Sequence, residues 1–314
     1  MAQAQEGYST LSEPSVVNPF RRKSRRLNID AILQCLFGPW ILYSIVFAAT
    51  SFSLRYDMPR VANAIVAAAV FVVIVAFYFA ADAVLRKRWH DDGYNVYFEP
   101  TWFVFLFVMT LIALIAGIMS GNTNFDLYMA KYFDYMKLNV YERPAVNPTL
   151  LRGEQVMDGG RVVFIEDTRV ALDKSMGFRD KIMYCVAPIV HGTDQPQTYD
   201  FWAVGTDCCS GQGPDFHCGE YNNPNGDGGL RLLNDKDRAF YRLAVQQAES
   251  MYGIRAAHPL FFEWVEDPVG IVDNYRTAGI QNYFLGVFSH LLFQAFCVSC
   301  AALAFAKLGF QRTM

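Results

Sequence analysis

The run from Ala64 to Ala81 is eighteen residues long and holds no charged side chain. A helix buried in a soluble core keeps a polar stripe at helical spacing, and this run has none. Three more apolar stretches accompany it, so four reach or approach the roughly 20 residues needed to cross a bilayer. They lie at Ala31–Phe52, Val61–Leu85, Trp102–Ser120 and Tyr283–Phe305. The sequence therefore predicts a membrane protein with a four-helix transmembrane bundle. Its largest polar segment falls between the third and fourth spans.

The implied organisation is a polar cytosolic tail at 1–30 and three spans with short loops at 31–121. An extracytoplasmic α+β domain follows at 122–279, then the fourth span at 280–306 and a short cytosolic tail at 307–314. The tail is low in apolar residues, the composition of disordered chain. About 30 polar residues precede the first apolar stretch, which is not the layout of a cleavable signal, so that stretch is expected to stay as an anchor.

Basic residues orient the spans. Arg21, Arg22, Lys23, Arg25 and Arg26 precede the first; Arg86, Lys87 and Arg88 follow the second; Lys307 and Arg312 follow the fourth. With four spans all three groups fall on one side, expected to be the cytosol. The segment 121–279 carries 22 acidic and 15 basic residues and would face the other way. The whole chain has a net charge of −3, which gives no argument for nucleic acid.

Within 122–279, Phe125, Tyr128, Tyr132 and Met136 recur at helical spacing, and Pro144 and Pro148 are expected to end that helix. Arg161–Ile165, Lys181–Val190 and Tyr199–Gly205 have the β-branched and aromatic content of strands. Ser210–Gly229 is rich in Gly, Pro, Asn and Asp and predicts a loop. Asn234–Tyr252 predicts a helix, capped by Asn234 or Asp235 and stopped by Gly253. The segment from His258 to Gly279 is expected to lead back to the membrane.

Four of the seven cysteines, Cys185, Cys208, Cys209 and Cys218, fall in this domain. An even number in an oxidising compartment predicts a disulfide framework. Adjacent cysteines rarely bond each other, so Cys185 joins Cys208 or Cys209 and Cys218 joins the other. The alternative is a metal site using Asp215, His217 and cysteine thiolates, although the spacing fits no standard zinc pattern. His191, His217 and His258 accompany no nucleophile, metalloprotease or phosphate-loop motif, so no catalytic residue and no cofactor is implied.

In the spans, Asp82 lies one turn before Arg86 and predicts an i,i+4 pair. His290 and Gln294 share a face of the fourth span, either as interhelical hydrogen-bonding groups or as part of a transport path. Cys297-Val298-Ser299-Cys300 has redox spacing but lies in an apolar helix, where thiols pack as small apolar groups or accept palmitate. Ala113, Gly117 and Gly121 recur every four residues, which suits close helix contact. In the N-terminal tail, Tyr8-Ser9-Thr10-Leu11 fits a tyrosine-based sorting peptide. Asn18-Pro19-Phe20 fits the tripeptide bound by EH domains. The partners expected are thus membrane lipids, a protein bound by the outer domain, and adaptor or EH-domain proteins at the tail.

Four spans, a small first outer loop and a large second one bearing Cys208-Cys209 resemble the plan of tetraspanins. Cys208 and Cys209 match their Cys-Cys-Gly, with Ser210 at the glycine, and Cys185 and Cys218 stand as the implied bonding partners. Tetraspanin loops are helical, whereas strand-like segments precede the cysteines here. A second resemblance rests on Phe201-Trp202-Ala203-Val204-Gly205, Cys208-Cys209, Asp215-Phe216-His217-Cys218-Gly219-Glu220, Arg238-Ala239-Phe240 and His258-Pro259-Leu260-Phe261-Phe262. These are similar to four-pass membrane proteins of dinoflagellates and related microalgae. That resemblance implies a shared outer-domain module and brings no catalytic residue. Together these features point to a membrane scaffold or receptor-like protein. The alternatives are a transporter or channel component using His290 and Gln294, and an outer-domain metal-binding or enzymatic module.

Overall fold

The computed structural model describes residues 29–89, 100–193, 195–211 and 213–311, with the side chains of 87–89, 100 and 306–311 left aside. Four of its helices are long and apolar enough to cross a membrane. They are α1 (Ile29–Ser51), α3 (Pro59–Trp89), α4 (Pro100–Asn124) and α7 (Pro268–Gln311). The expected loop after the first span contains one helical turn, α2 (Ser53–Asp57).

The bundle is held by small residues and by polar groups turned inward. Ala113 is fully buried. A Cβ on Gly117 would sit 3.1 Å from the Val46 side chain, and one on Gly121 would collide with Thr50. The glycine row on α4 is therefore the surface that α1 lies against, as close packing without Cβ atoms allows. Several large side chains point outward, Phe71, Tyr78, Leu285 and Phe296 each about two-thirds exposed, while Tyr43 and Phe47 pack inside.

α4 does not end where the apolar stretch expected to span the bilayer ends, at Ser120. It passes through a π-helical turn, Phe125–Met129, into α5 (Ala130–Met136). The helix then stops well before the two prolines expected to end it. Pro144 lies inside strand β1 (Asn139–Val146), at the edge of the sheet where its missing N–H costs no ladder bond. The expected boundary at 279/280 likewise falls inside a helix, because α7 begins at Pro268 and runs unbroken for 44 residues.

The rest of the domain is β2 (Gly159–Phe164), β3 (Thr168–Val170), β4 (Met176–Arg179), β5 (Met183–His191), β6 (Phe201–Thr206), β7 (Gly228–Arg231), α6 (Asp235–Tyr252) and β8 (Leu260–Val265). The eight strands form one mixed sheet in the order β1-β2-β7-β8-β6-β5-β3, with β4 also paired to β5. The tetraspanin plan implied helices here; the domain is a sheet with one packed helix. β6 is central, and its Phe201, Trp202, Ala203 and Val204 are all buried, the pattern of a strand covered on both faces. One face packs on α6 through Trp202, Val204, Tyr241, Ala244, Val245 and Ala248. The other carries Phe164, Phe201, Phe262 and Trp264, with Phe216 and the disulfide cysteines laid over them.

α6 starts at Asn234, whose side chain accepts from the Lys236 N–H, and ends at Gly253 in the left-handed conformation with φ +64°. A third cluster joins the sheet to the helices beneath it. Tyr135 of α5, Leu230 of β7 and Val272 of α7 are buried together, and the Tyr135 hydroxyl donates to the Arg231 carbonyl at 2.8 Å.

Candidate functional site

The most concentrated chemistry in the domain is its sulfur cluster. Cys185 bonds Cys209 and Cys208 bonds Cys218, with Cα separations of 5.8 and 5.1 Å. This is one of the two arrangements left open by the sequence. The sheet makes room for it. Gly177 of β4, Cys185 of β5 and Gly205 of β6 stand in one row across three strands. A Cβ on Gly205 would lie 2.7 Å from the Cys208 sulfur, and one on Gly177 would lie 2.9 Å from the Cys209 sulfur. Two glycines flanking a buried cysteine thus form the floor on which both bridges rest.

The Sγ atoms of Cys185, Cys208 and Cys218 lie within 4.8 Å of one another, and among the described residues no other group of three potential metal ligands is so close. All three are bonded in bridges. Asp215 and His217 do not join them. The Asp215 carboxylate accepts from the Ser210 N–H at 2.7 Å, and hydrogen bonding from Ser210 holds it below the usual carboxylate range. His217 Nδ1 is 2.9 Å from the Asp215 carbonyl oxygen. The structure therefore does not bring Asp215, His217 and Cys218 together as a ligand set, because loop hydrogen bonds occupy the first two and a disulfide the third.

The intramembrane residues form a thread along α1, α4 and α7. Gln294 is fully buried, and its amide donates to the Cys35 carbonyl at 2.6 Å while its oxygen has no partner among the described residues. His290 is 7% exposed and stacks on Tyr43 with ring centroids 4.1 Å apart; its Nε2 has no partner among the described residues. The Tyr43 hydroxyl donates to Ser120 Oγ at 3.3 Å. Higher up, the buried Asn124 amide donates to Ser51 Oγ and to the Gly279 carbonyl, and Asn282 donates to Asn124 Oδ1 at 3.0 Å. A recess of about 310 Å³ opens beside this thread, lined by Tyr43, Ser120, Thr123 and Asn282 among others. Asp82 stands apart, 2.9 Å from Arg86 on the same helix. Cys297 and Cys300 are free thiols on α7. Tyr8, Leu11, Asn18, Pro19 and Phe20 lie outside the described residues.

The chain matches no protein-family model, no curated protein and no solved structure.

Two residues that carry much of this architecture gave no signal in the sequence. Asp200 is 1% exposed and accepts four hydrogen bonds, from the N–H groups of Gly153, Ala257 and His258 and from the Thr198 hydroxyl. It ties β6 to segments 47 and 57 residues away. Arg55, in the short α2, donates to the Thr50 carbonyl and to Asn122 and lies 4.3 Å above the Phe125 ring. A lone Asp before a strand and a lone Arg in a loop belong to no motif; only the fold assembles their partners.

Proposed function

We propose that this chain is a membrane scaffold or receptor-like protein, whose α+β domain binds a protein partner on the side opposite the cytosol. The observation that carries the reading is the absence of slack between domain and bundle. β8 ends at Val265 and α7 starts at Pro268; α5 ends at Met136 and β1 starts at Asn139. Two helices that cross the bilayer thus run into the sheet's own hydrophobic contacts. An enzyme tethered to a membrane needs only a linker, whereas a receptor or organising scaffold needs load to pass between its two halves. The two disulfides and the acidic balance of 121–279 support an outward-facing domain. The basic groups of the N-terminal tail and of Arg86–Arg88 support a cytosolic N-terminus. The peptides at Tyr8–Leu11 and Asn18–Phe20 would then meet clathrin-adaptor and EH-domain proteins.

Protease protection on sealed vesicles, read with proximity labelling from tags on each face, tests the reading. Residues 122–279 should survive digestion from the cytosolic side, and labelling there should enrich a partner that purified domain-specific antibody displaces. Digestion of that segment from the cytosol would overturn it.

A second reading, transport, is favoured by the buried polar thread through His290, Gln294 and Asn124. Solute or proton flux in proteoliposomes, lost when His290 is replaced, would make it the better account.

A further inference from the structure

We propose that the recess around Arg55 is a phosphodiester site, filled in the membrane by a phospholipid headgroup. The recess holds about 350 Å³ and lies where α1, α2, α3 and α4 meet at the end of the spans; Thr50, Arg55, Asn63, Asn122 and Phe125 are among its walls. On the membrane reading proposed above, this end of the spans is the bilayer edge. Tyr56 is one of its walls, and Lys137 Nζ lies 4.2 Å from the centre of that ring, a pairing of cation and aromatic common at membrane interfaces.

The guanidinium is held ready. Its Nη1 donates to the Thr50 carbonyl at 3.1 Å and to the Asn122 side chain, and its carbon sits over Phe125. These contacts fix the plane of the group while using one nitrogen. Nε and Nη2 make no hydrogen bond among the described residues, and together they form the side-on fork that matches two phosphate oxygens. The nearest carboxylate, on Asp126, is 3.8 Å from Nη2 and 69% exposed, beyond hydrogen-bond length. Ala62 and Pro59 supply an apolar wall beside the fork, suited to the glycerol and first acyl carbons of a lipid. A free phosphate would use the fork alone; a phospholipid uses the fork and the wall, and is present in every bilayer.

Native mass spectrometry of the full-length protein in detergent, after exchange into phosphatidylcholine, phosphatidylglycerol or diacylglycerol of the same chains, tests this. The wild type should keep one phosphodiester lipid and no diacylglycerol. Arg55→Gln should lower retention by roughly tenfold or more, the loss expected for one charge-assisted fork. Asp126→Asn should raise retention by removing the competing carboxylate. Asn63→Leu fills the recess without touching the contacts that hold Arg55, and should also lose the lipid. This second variant decides the matter if Arg55→Gln fails to fold. Equal retention of diacylglycerol, or unchanged retention in Asn63→Leu, overturns the site. Displacement of the lipid by millimolar inorganic phosphate alone would assign the fork to free phosphate and overturn the lipid.

Discussion

In the α+β domain the largest side chains are the most hidden: Trp202, Trp264, Phe164, Phe201 and Phe262 are all essentially inaccessible. In the bundle the order is mixed: Phe71, Tyr78 and Phe296 lie outside, while Ala113, Gly117, Ser51, Asn124 and Gln294 share the interior with Tyr43 and Phe47. Water outside the domain drives apolar groups together. Lipid outside the bundle gives them no such preference, so helix contact depends on close approach and hydrogen bonds. The polar interior divides residue by residue rather than by region. Asp200 in the domain has both oxygens engaged, whereas Gln294 and His290 in the bundle each have one buried atom with no hydrogen-bond partner among the described residues, as do Arg161, Thr168, Ser175, His191 and Arg231 in the domain. The fully engaged Asp200 should therefore be indispensable, and the half-engaged Gln294 nearly replaceable.

The largest effect is expected at Asp200. Its removal strands three backbone N–H groups, that of Gly153 in the interior and those of Ala257 and His258 in part-buried bonds. Each unsatisfied buried donor costs about 1–3 kcal/mol, so Asp200→Ala should destabilise the domain by about 3–5 kcal/mol. Chemical denaturation followed by tryptophan fluorescence, which reads Trp202 and Trp264 in the domain core, measures it. A loss below about 1 kcal/mol would mean that the three N–H groups find other partners and that Asp200 is not a keystone of the domain.

The disulfides come next. A bridge acts chiefly by restricting the unfolded chain, and more so for a longer loop. The Cys185–Cys209 link spans 24 residues and the Cys208–Cys218 link spans 10. Replacing the first pair by alanine should cost about 3.5 kcal/mol and the second about 2.7 kcal/mol, and the helical bundle should be unaffected. The order of the two losses, by the same denaturation, is the sharper test. Equal losses, or a loss of helix assembly, would show the bridges acting on native packing rather than on the unfolded chain.

This contrast also explains which parts could be read from the chain. The spans were legible because length and apolarity alone define a bilayer helix, and α6 because its cap, apolar face and terminal glycine are local signals. β7 was not. Its Gly228-Gly229-Leu230-Arg231 has no strand propensity, and it lies at the end of the stretch expected to be loop. It is a strand because β2 and β8 bond it on both sides, and because Gly229 lets Phe164 and Phe262 approach to 3.1 Å of where a Cβ would stand. β1 was hidden by Pro144, which an edge strand accepts. The cysteines named the sulfur cluster, but its floor, Gly177 and Gly205, comes from strand register, which no local pattern encodes. Asp200 and Arg55 were invisible for the same reason: their partners are distant in sequence.

The smallest effect is expected at Gln294, and it is the sharpest test of the comparison. Gln294→Leu removes the hydrogen bond to the Cys35 carbonyl. It also removes the amide oxygen that is buried without a partner. Interhelical hydrogen bonds in bilayers average about 0.6 kcal/mol, because helices apart in the membrane find other partners. Deleting an unsatisfied acceptor returns a similar amount, and leucine fills nearly the same volume. The two changes oppose each other, so stability in detergent or bicelles should stay within about 1 kcal/mol of the wild type. A large loss would show that the single bond to Cys35 holds α7 against α1, and that the bundle depends on its polar interior as the domain does. A clear gain would be equally informative. The fully buried glutamine would then be kept at a cost to packing, and the thread that it shares with His290 would be retained for transport rather than for assembly.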